Sequence, residues 1–175
     1  MLAKKAGAVM ESLKANIMEV LETVKDPEMT TVSVLDLGMI EEVEVSGSSV
    51  RISVLPTFLG CPALDIIHNN VKTAAEGVAG IEHAEVIFIK HPAWTSDRIT
   101  KEGREHLKEF GIAPPPEKVA DDGMWQVECP YCESPYTAVE NLFGPTACRS
   151  ILYCKSCRNP FEAMKPMTDL SMTGN

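Results

Sequence analysis

The chain has 175 residues, of which 45% are hydrophobic and 23% charged, a composition that is typical of a globular protein and excludes wholesale disorder. This length suits one domain of ordinary size, or one small domain followed by a module that a metal ion stabilises. The formal net charge of -9 opposes binding to phosphate backbones and anionic lipid, so we expect neither nucleic acid nor a membrane as a partner.

The cysteine spacing and the lack of long apolar runs bear on the compartment. No apolar run approaches the roughly 20 residues that span a bilayer, and the apolar stretch near the start stops at Glu11, too early for a signal-peptide core. Four of the six cysteines form two Cys-x-x-Cys pairs, the spacing of a metal site in a reducing compartment. We therefore expect a cytoplasmic protein.

Hydrophobic periodicity predicts the elements of the first half of the chain. Apolar residues recur at spacings of three and four from Val9 to Val24, which predicts an amphipathic helix that ends near Pro27. Alternation of apolar and polar residues, with a Ser-Gly-Ser-Ser turn after the first strand, predicts strands further along. The predicted strands are residues 39–45, 50–55 and 84–89.

Two more helices are predicted, one from Pro62 to near Gly80 and one that carries Ile99 and Phe110. The resulting order, helix, strand, strand, helix, strand, helix, predicts an α+β fold in which a small three-stranded mixed sheet is packed with helices. Residues 113–116, Ala-Pro-Pro-Pro, form a stiff spacer. We place the domain boundary there, which gives a first domain of residues 1–116 and a second of residues 117–175.

The second domain carries a four-cysteine pattern. Cys129, Cys132, Cys154 and Cys157 have the spacing C-x2-C-x21-C-x2-C, in which two tight turns present four thiolates to one tetrahedral ion. Zinc is the default metal, and a redox pair or cluster ligands are the alternatives. The region has too little apolar content to fold alone, which indicates a structural zinc ribbon. Its predicted strands are residues 136–140, 150–153 and 161–164.

Two positions of the ribbon depart from the simplest pattern. Glu133 follows the first cysteine pair, where glycine often eases the backbone. Cys148 is a fifth cysteine of this region. It is either an alternative or additional ligand of the ion, or a small thiol buried beneath the ribbon.

Cys61 is a cysteine of a different kind. It lies in Gly60-Cys61-Pro62, between a strand and the helix predicted to begin at Pro62, so its sulfur should lie near a helix N-terminus. Unpaired backbone N–H groups and the helix dipole there favour the thiolate, so we predict a lowered pKa for Cys61. Such a thiolate could act as a nucleophile or bind a metal or cluster, although the sequence places no histidine beside it as a base. An inert buried thiol is the alternative.

Two acidic turns, one starting at Asp26 and the other at Asp36, bracket the entry to the first predicted strand. Each is either a turn in which the aspartate bonds the backbone, or part of a site near Cys61.

These motifs together resemble a known family. Asp26-Pro27-Glu28, Asp36-Leu37-Gly38 and Thr57 with Gly60-Cys61-Pro62 are similar to the signature of the metal-sulfur cluster assembly family that includes SufT-like proteins, over residues 10–90. The further motifs resemble its PaaD branch, which is encoded with the phenylacetyl-CoA epoxidase of aerobic phenylacetate degradation. They are residues 92–97, 103–104, 111–115, 143–148 and 159–161. The resemblance implies a NifU C-terminal-like or SufT-like first domain.

The resemblance also implies an accessory role and no catalysis, with assistance to the assembly or insertion of iron or iron-sulfur clusters. It ties Cys61 and Asp26 to function, with Asp36 and Thr57 as further candidates for an iron or cluster transfer site. The implied partners are the epoxidase subunits, the iron-sulfur reductase of the epoxidase and other iron-sulfur assembly proteins. A shared cluster would need cysteines from a partner or from a homodimer.

Other functions stay open at this point. Cys61 could serve a thiol oxidoreductase or a hydrolase, which needs a resolving cysteine or a base within reach. The chain could be a structural scaffold subunit of the oxygenase complex. A nucleic-acid-binding ribbon is disfavoured by the acidic balance. The ribbon and the Trp94 segment are candidate docking surfaces, unless Trp94 belongs to the core.

Overall fold

The computed structural model describes residues 2–117 and 125–168, so residues 118–124 and 169–175 of the predicted second domain lie outside the described residues. The first part contains α1 (Leu2–Leu21), β1 (Lys25–Asp26), β2 (Met29–Ser33), β3 (Ile40–Ser46), β4 (Ser49–Val54), α2 (Leu64–Glu76), β5 (His83–Phe88), a 3-10 helix (Ser96–Arg98) and α3 (Lys101–Phe110). Strand β6 (Ile112–Ala113) ends the first part, and the second part contains β7 (Thr137–Asn141), β8 (Arg149–Cys154) and β9 (Pro160–Met164).

The central sheet of the first part has the order β3-β4-β5. Strands β3 and β4 are antiparallel and joined by a tight turn in which Gly47 has a φ of 62°. Strands β4 and β5 are parallel, with α2 as the crossover between them. The predicted α+β fold with a three-stranded mixed sheet and packed helices is confirmed.

The main hydrophobic core lies between this sheet and the helices. Helix α1 packs against α2 and β3, and α2 packs against β5. Ile17 of α1, Ile52 of β4 and Val71 of α2 are buried almost completely. Burial of one such aliphatic side chain stabilises the folded state by about 1.5–3 kcal/mol. The apolar residues that the periodicity identified therefore stabilise this domain.

The structure differs from the sequence prediction just after α1. The helix ends at Leu21, before the predicted position, and β1 and β2 form a short hairpin that was not predicted. Asp26 makes the turn, because its Oδ1 accepts hydrogen bonds from the backbone N–H groups of Glu28 at 2.8 Å and Met29 at 3.1 Å. Strands of two and five residues are too short for alternation to reveal them.

The Asp36-Leu37-Gly38 turn is the surface on which the α3 region packs. Gly38 has a φ of 61°, and a Cβ there would lie 2.2 Å from the carbonyl oxygen of Arg98. A Cβ on Gly103, in α3, would lie 2.4 Å from the carbonyl oxygen of Asp36. Both positions require glycine, because the two backbones approach more closely than any side chain permits.

Trp94 packs on the same turn. Its side chain is only 5% exposed, and its indole Nε1 donates a hydrogen bond of 2.7 Å to the carbonyl oxygen of Leu37. Trp94 therefore belongs to the core, as the alternative to a docking anchor predicts, because both the ring and its polar N–H are satisfied inside the domain.

The second part folds as the predicted ribbon. Strands β7, β8 and β9 are antiparallel, and their bounds differ from the predicted ones by about one residue. Leu152 and Phe161 form a small core with the ribbon cysteines Cys129 and Cys154. Strand β6, which precedes the ribbon in sequence, adds to its sheet by pairing in parallel with β9.

The ribbon also contacts the first part directly. Met164 belongs to the main core, and Ser96 exchanges hydrogen bonds with the backbone of Met167, with Ser96 N donating at 2.9 Å and Ser96 Oγ accepting at 3.1 Å. Strand pairing, core packing and hydrogen bonds therefore all join the two parts.

Across the described ranges, no helix is both long enough and apolar enough to cross a membrane.

We predict that Gly103→Ala lowers the free energy of unfolding by about 1–3 kcal/mol, because the added methyl group must displace the backbone of Asp36. This loss should occur even though alanine has the higher helix propensity. The measurement is urea-induced unfolding. The control is Glu105→Ala on the same helix, whose side chain is 60% exposed and whose loss should change stability by at most about 0.5 kcal/mol. Equal midpoints for the two variants would contradict the close approach.

Candidate functional site

The four cysteines of the two Cys-x-x-Cys pairs lie together at one end of the ribbon. All four Sγ atoms are within 4.8 Å of one another. The Sγ atoms of Cys129 and Cys157 are 3.6 Å apart, as are those of Cys132 and Cys154. Four sulfurs at the usual distance of about 2.3 Å from a tetrahedral zinc would be about 3.8 Å apart. The donor set and its spacing therefore fit one tetrahedral ion.

The two cysteine turns have the same conformation. In each, the residue after the second cysteine donates its N–H to the carbonyl oxygen of the first, from Glu133 to Cys129 at 2.8 Å and from Arg158 to Cys154 at 2.9 Å. Both donors have left-handed backbones, with φ of 57° at Glu133 and 61° at Arg158. The position that glycine often occupies is thus left-handed here, and Glu133 adopts this conformation.

Hydrogen bonds favour the charged form of the second cysteine pair. The side chain of Asn159 lowers the pKa of Cys157 to about 6. The backbone N–H of Cys157, 3.5 Å from the sulfur of Cys154, lowers the pKa of Cys154. Burial raises the pKa of Cys129, and burial together with the neighbouring thiols raises that of Cys132 although the N–H of Ser134 opposes the rise. The thiolate is the form that binds a metal, and the hydrogen bonds favour it at the second pair.

Cys148 is not a member of this group. It directly precedes β8, whereas Cys154 ends that strand. Six residues of extended chain span about 20 Å, too far for both sulfurs to bind one ion. The expectation of Cys148 as an extra ligand of the ribbon metal is therefore wrong. Cys148 instead packs against the core of the first part, half-buried.

Cys61 lies where the two parts of the protein meet. Its half-buried thiol faces a cavity of about 170 Å³. One wall comes from the first part and the other from the loop that precedes β8. The lining residues are Glu28, Phe58, Cys61 and Pro62, and then Pro145, Thr146, Ala147 and Cys148.

The helix after Cys61 begins later than predicted. Helix α2 starts at Leu64 with Ala63 as its N-cap, instead of at Pro62. Cys61 therefore lies two residues before the cap, and only the backbone N–H of Ala63 is directed at its sulfur.

The predicted lowering of the pKa of Cys61 is wrong, because the pKa is raised. Burial of the thiol is the main cause. The neighbouring Cys148, Asp26 and Glu28 disfavour a further negative charge and raise the pKa as well, and the hydrogen bond from Ala63 opposes them only in part. The helix end, which was the basis of the prediction, is thus outweighed by groups that only the fold brings close to the sulfur.

Asp26 and Glu28 are the acidic residues that the structure brings to Cys61. Asp26 is buried, and burial raises its pKa although the N–H groups of Glu28 and Met29 donate to it. Glu28 lines the cavity itself. The first acidic turn thus makes a backbone turn and also contributes charge near Cys61.

Asp36 lies in a different place. Its carboxylate accepts hydrogen bonds from the N–H of Ser33 at 2.8 Å and from Nδ1 of His106 at 2.9 Å, and it lines another cavity. These hydrogen bonds outweigh burial and lower the pKa of Asp36. Thr57 lines a third, mostly apolar cavity beside Trp94. The structure therefore does not bring Asp36 or Thr57 to the cavity of Cys61.

Arg149 is a site residue that the sequence analysis missed. Its side chain is 9% exposed and donates to Glu162 at 2.6 Å, to Glu28 at 3.4 Å and to Oγ1 of Thr146 at 2.8 Å. It thus connects the first acidic turn to the loop that carries Cys148. A single arginine, with one of its carboxylate partners 121 residues away, leaves no local signal in the sequence.

Comparison with known families defines the class of protein. Residues 14–88 match the family described as iron-sulfur cluster assembly protein, and residues 113–165 match the PaaD zinc β-ribbon domain. A solved structure of a domain of unknown function, DUF59, from Bacillus anthracis is similar to the first part, with a TM-score of 0.54 and 25% identity over 58% of this chain and 96% of that one. The molecule is thus an iron-sulfur cluster assembly domain followed by a PaaD-type ribbon.

Similarity over the whole length is more specific. A putative 1,2-phenylacetyl-CoA epoxidase subunit of Escherichia coli (strain K12) is 35% identical over 150 residues, which are 85% of this chain and 90% of that protein. The chain belongs to the family of this epoxidase component, which confirms the resemblance seen in the sequence. The Fe-S protein maturation auxiliary factor YitW of Bacillus subtilis (strain 168) is 35% identical over 92 residues, 52% of this chain and 89% of that protein.

We predict that Cys61 is alkylated more slowly at neutral pH than an unburied cysteine, and that its rate rises only above the ordinary thiol pKa, because burial and nearby carboxylates disfavour the thiolate. The measurement is iodoacetamide labelling as a function of pH, on protein with metal in the four-cysteine site and no iron added. Labelling of Cys61 is followed by peptide mass spectrometry. Glu28→Gln removes one nearby charge and should shift the profile towards lower pH. A Cys61 that reacts rapidly at neutral pH would contradict the assignment.

Proposed function

We propose that this protein is an accessory maturation factor that assists iron or iron-sulfur cluster assembly for a phenylacetyl-CoA epoxidase system. The observation that carries this proposal is the position of Cys61, a half-buried thiol at a cavity, beside the domain's first acidic turn. This cysteine lies inside the segment that matches the iron-sulfur cluster assembly family. Similarity to the E. coli epoxidase component and to a maturation factor supports the same role.

In this proposal the Cys61 thiolate binds iron or a cluster transiently. Thiolates are soft ligands that suit iron-sulfur units. Asp26 acts on the site through its charge near Cys61. We assign Asp36 to the packing of α3 and Thr57 to the neighbouring apolar cavity, since neither lines the Cys61 cavity.

Zinc is the metal we propose for the four ribbon cysteines, with a structural role. The sulfur spacing fits zinc, and the ribbon core contains few residues apart from the ligands. We also propose that the two domains divide between residues 116 and 117. Strand β6 is then the segment through which the first domain adds to the ribbon sheet.

The proposed partners are cytoplasmic. They are the subunits of the epoxidase, its iron-sulfur reductase, and the proteins that supply iron or clusters. The acidic character of the chain favours partners with basic docking surfaces.

A thiol oxidoreductase is the second candidate, because Cys148 lines the same cavity as Cys61 and could resolve a disulfide. The raised pKa of Cys61 disfavours this reaction, since the thiolate is the attacking form. A hydrolase has less support, because no histidine is among the described residues that line the cavity.

We predict that Cys61→Ser protein fails to support maturation of the epoxidase system. The epoxidase and its reductase are expressed with wild-type protein, with Cys61→Ser, or without this protein, and the iron and cluster content of both enzymes is measured. Serine lacks the soft thiolate, so the variant should match the sample without the protein. The control is Asn70→Ala, an exposed position on α2. Unchanged iron content with Cys61→Ser would exclude the maturation role and leave a scaffold function.

We predict that native mass spectrometry of the wild-type protein detects one zinc ion per chain. Cys154→Ser should lose this ion, because a three-thiolate site holds zinc less tightly and Cys154 is fully buried among its partners. The thermal midpoint of the ribbon should fall with it. Cys148→Ser should retain the zinc, because the sulfur of Cys148 lies outside the four-cysteine group. A folded wild-type protein without zinc would contradict the assignment.

A further inference from the structure

Two cysteines that are far apart in sequence, Cys61 and Cys148, line one cavity at the junction of the two domains. Both are half-buried, and both pack against the main core. Glu28 adds a carboxylate to the same wall. Two cysteines and a glutamate from three separate segments thus line one space.

We propose that Cys61 and Cys148 form a two-thiolate binding site for iron. This inference rests on the proposed function and makes it more specific, because it assigns the second protein ligand of the transfer site to the ribbon. The site is separate from the four-cysteine metal site at the other end of β8.

The loop that carries Cys148 is held in place by contacts on both sides. The backbone N–H of Lys165 donates to the carbonyl oxygen of Cys148 at 2.9 Å, and Nζ of Lys165 donates to that of Ala147 at 2.8 Å. Thr146 Oγ1 lies 3.2 Å from the sulfur of Cys148 and accepts a hydrogen bond from Arg149. These contacts fix the side of the cavity that the ribbon supplies, as a metal ligand requires.

Gly144 gives this loop its shape. Its N–H donates to the carbonyl oxygen of Arg149 at 2.9 Å, and a Cβ on Gly144 would lie 2.7 Å from the same oxygen. The chain therefore folds back tightly just before Pro145 and directs Cys148 toward the first domain. The Phe-Gly-Pro-Thr-Ala-Cys motif, which the four-cysteine site does not use, is accounted for by this turn.

The chemistry of the cavity suits a cation. When ionised, the two thiols would carry two like charges in a half-buried space beside Glu28, whose own charge is paired with Arg149. Two neighbouring thiolates are unfavourable until a cation enters. Two thiols that bind one Fe²⁺ release two protons, so one iron offsets the charge of both new thiolates. A volume of about 170 Å³ exceeds several times the roughly 30 Å³ of one water molecule, which leaves room for an ion with exchangeable water ligands.

The same ligand chemistry serves a single iron ion and one iron of a cluster, since both present an iron atom to two thiolates. Either cargo would have an incomplete protein ligand set here, which permits transfer to a partner that supplies the remaining ligands. A homodimer is not needed to provide the second cysteine, because the ribbon of the same chain provides it.

The experiment uses the full-length protein with zinc already in the ribbon. Under anaerobic conditions it is titrated with Fe²⁺ alone, with Fe²⁺ plus sulfide, and with Co²⁺ as a spectroscopic probe. Native mass spectrometry counts zinc and added metal in each chain, and the thiolate-to-cobalt charge-transfer absorption reports sulfur ligation. The variants are Cys61→Ser and Cys148→Ser. The control is Phe58→Leu, which alters the same wall without removing a donor atom.

We expect the wild-type protein and Phe58→Leu to bind one added metal centre, and Cys61→Ser and Cys148→Ser each to bind it at least about tenfold more weakly. Retained zinc shows that a variant is folded, and Cys148→Ala replaces Cys148→Ser if zinc is lost. A wild-type affinity for Cys148→Ser together with a loss for Cys61→Ser would overturn this inference and leave the proposed function intact. Wild-type protein that takes up no metal in any arm would overturn both. Uptake from Fe²⁺ alone identifies the ion as cargo, and uptake only with sulfide identifies a cluster.

Discussion

The arrangement of the two domains depends on the ion pairs that the buried side chain of Arg149 makes with both of them. A guanidinium taken out of water is costly unless carboxylates pair with it, and here Glu162 of the ribbon and Glu28 of the first domain both do so. Removal of either domain would leave some of these charges without their partners. The β6–β9 pairing and the packing of Met164 in the main core act in the same direction. The cavity that contains Cys61 exists only because the domains are joined in this way.

The two sets of cysteines differ in their electrostatic surroundings. At the ribbon site, hydrogen-bond donors lower the pKa of Cys154 and Cys157, whereas burial raises the pKa of Cys129 and contributes to the raised pKa of Cys132. At the interdomain cavity, burial and nearby acidic groups raise the pKa of Cys61, so its thiol stays protonated without a cation. The second ribbon pair thus has donors that favour the thiolate, whereas the groups around Cys61 disfavour it.

The family motifs have more than one physical role. The turn that starts at Asp36 forms the surface on which Trp94 and α3 pack, and Gly38 and Gly103 allow the close approach. The motif shared with the wider family and the Pro-Ala-Trp motif of the PaaD branch therefore contact each other, which places both in the support of the fold. The turn that starts at Asp26 differs, because it forms a hairpin and also brings Glu28 to the cavity.

The sequence by itself determined the class of fold and the ribbon metal site. Periodicity places the helices and strands of the main core. Each Cys-x-x-Cys pair is recognisable within four consecutive residues, so the fold class and the candidate metal site could both be predicted from local patterns. The short hairpin at Asp26 and the start of α2 at Leu64 were not predicted, because two to five residues give no usable period. Only the tertiary structure decided the surroundings of Cys61. Its pKa, the proximity of Cys148 and the role of Arg149 depend on groups from distant parts of the chain, and no pattern along the sequence records which of them meet in space.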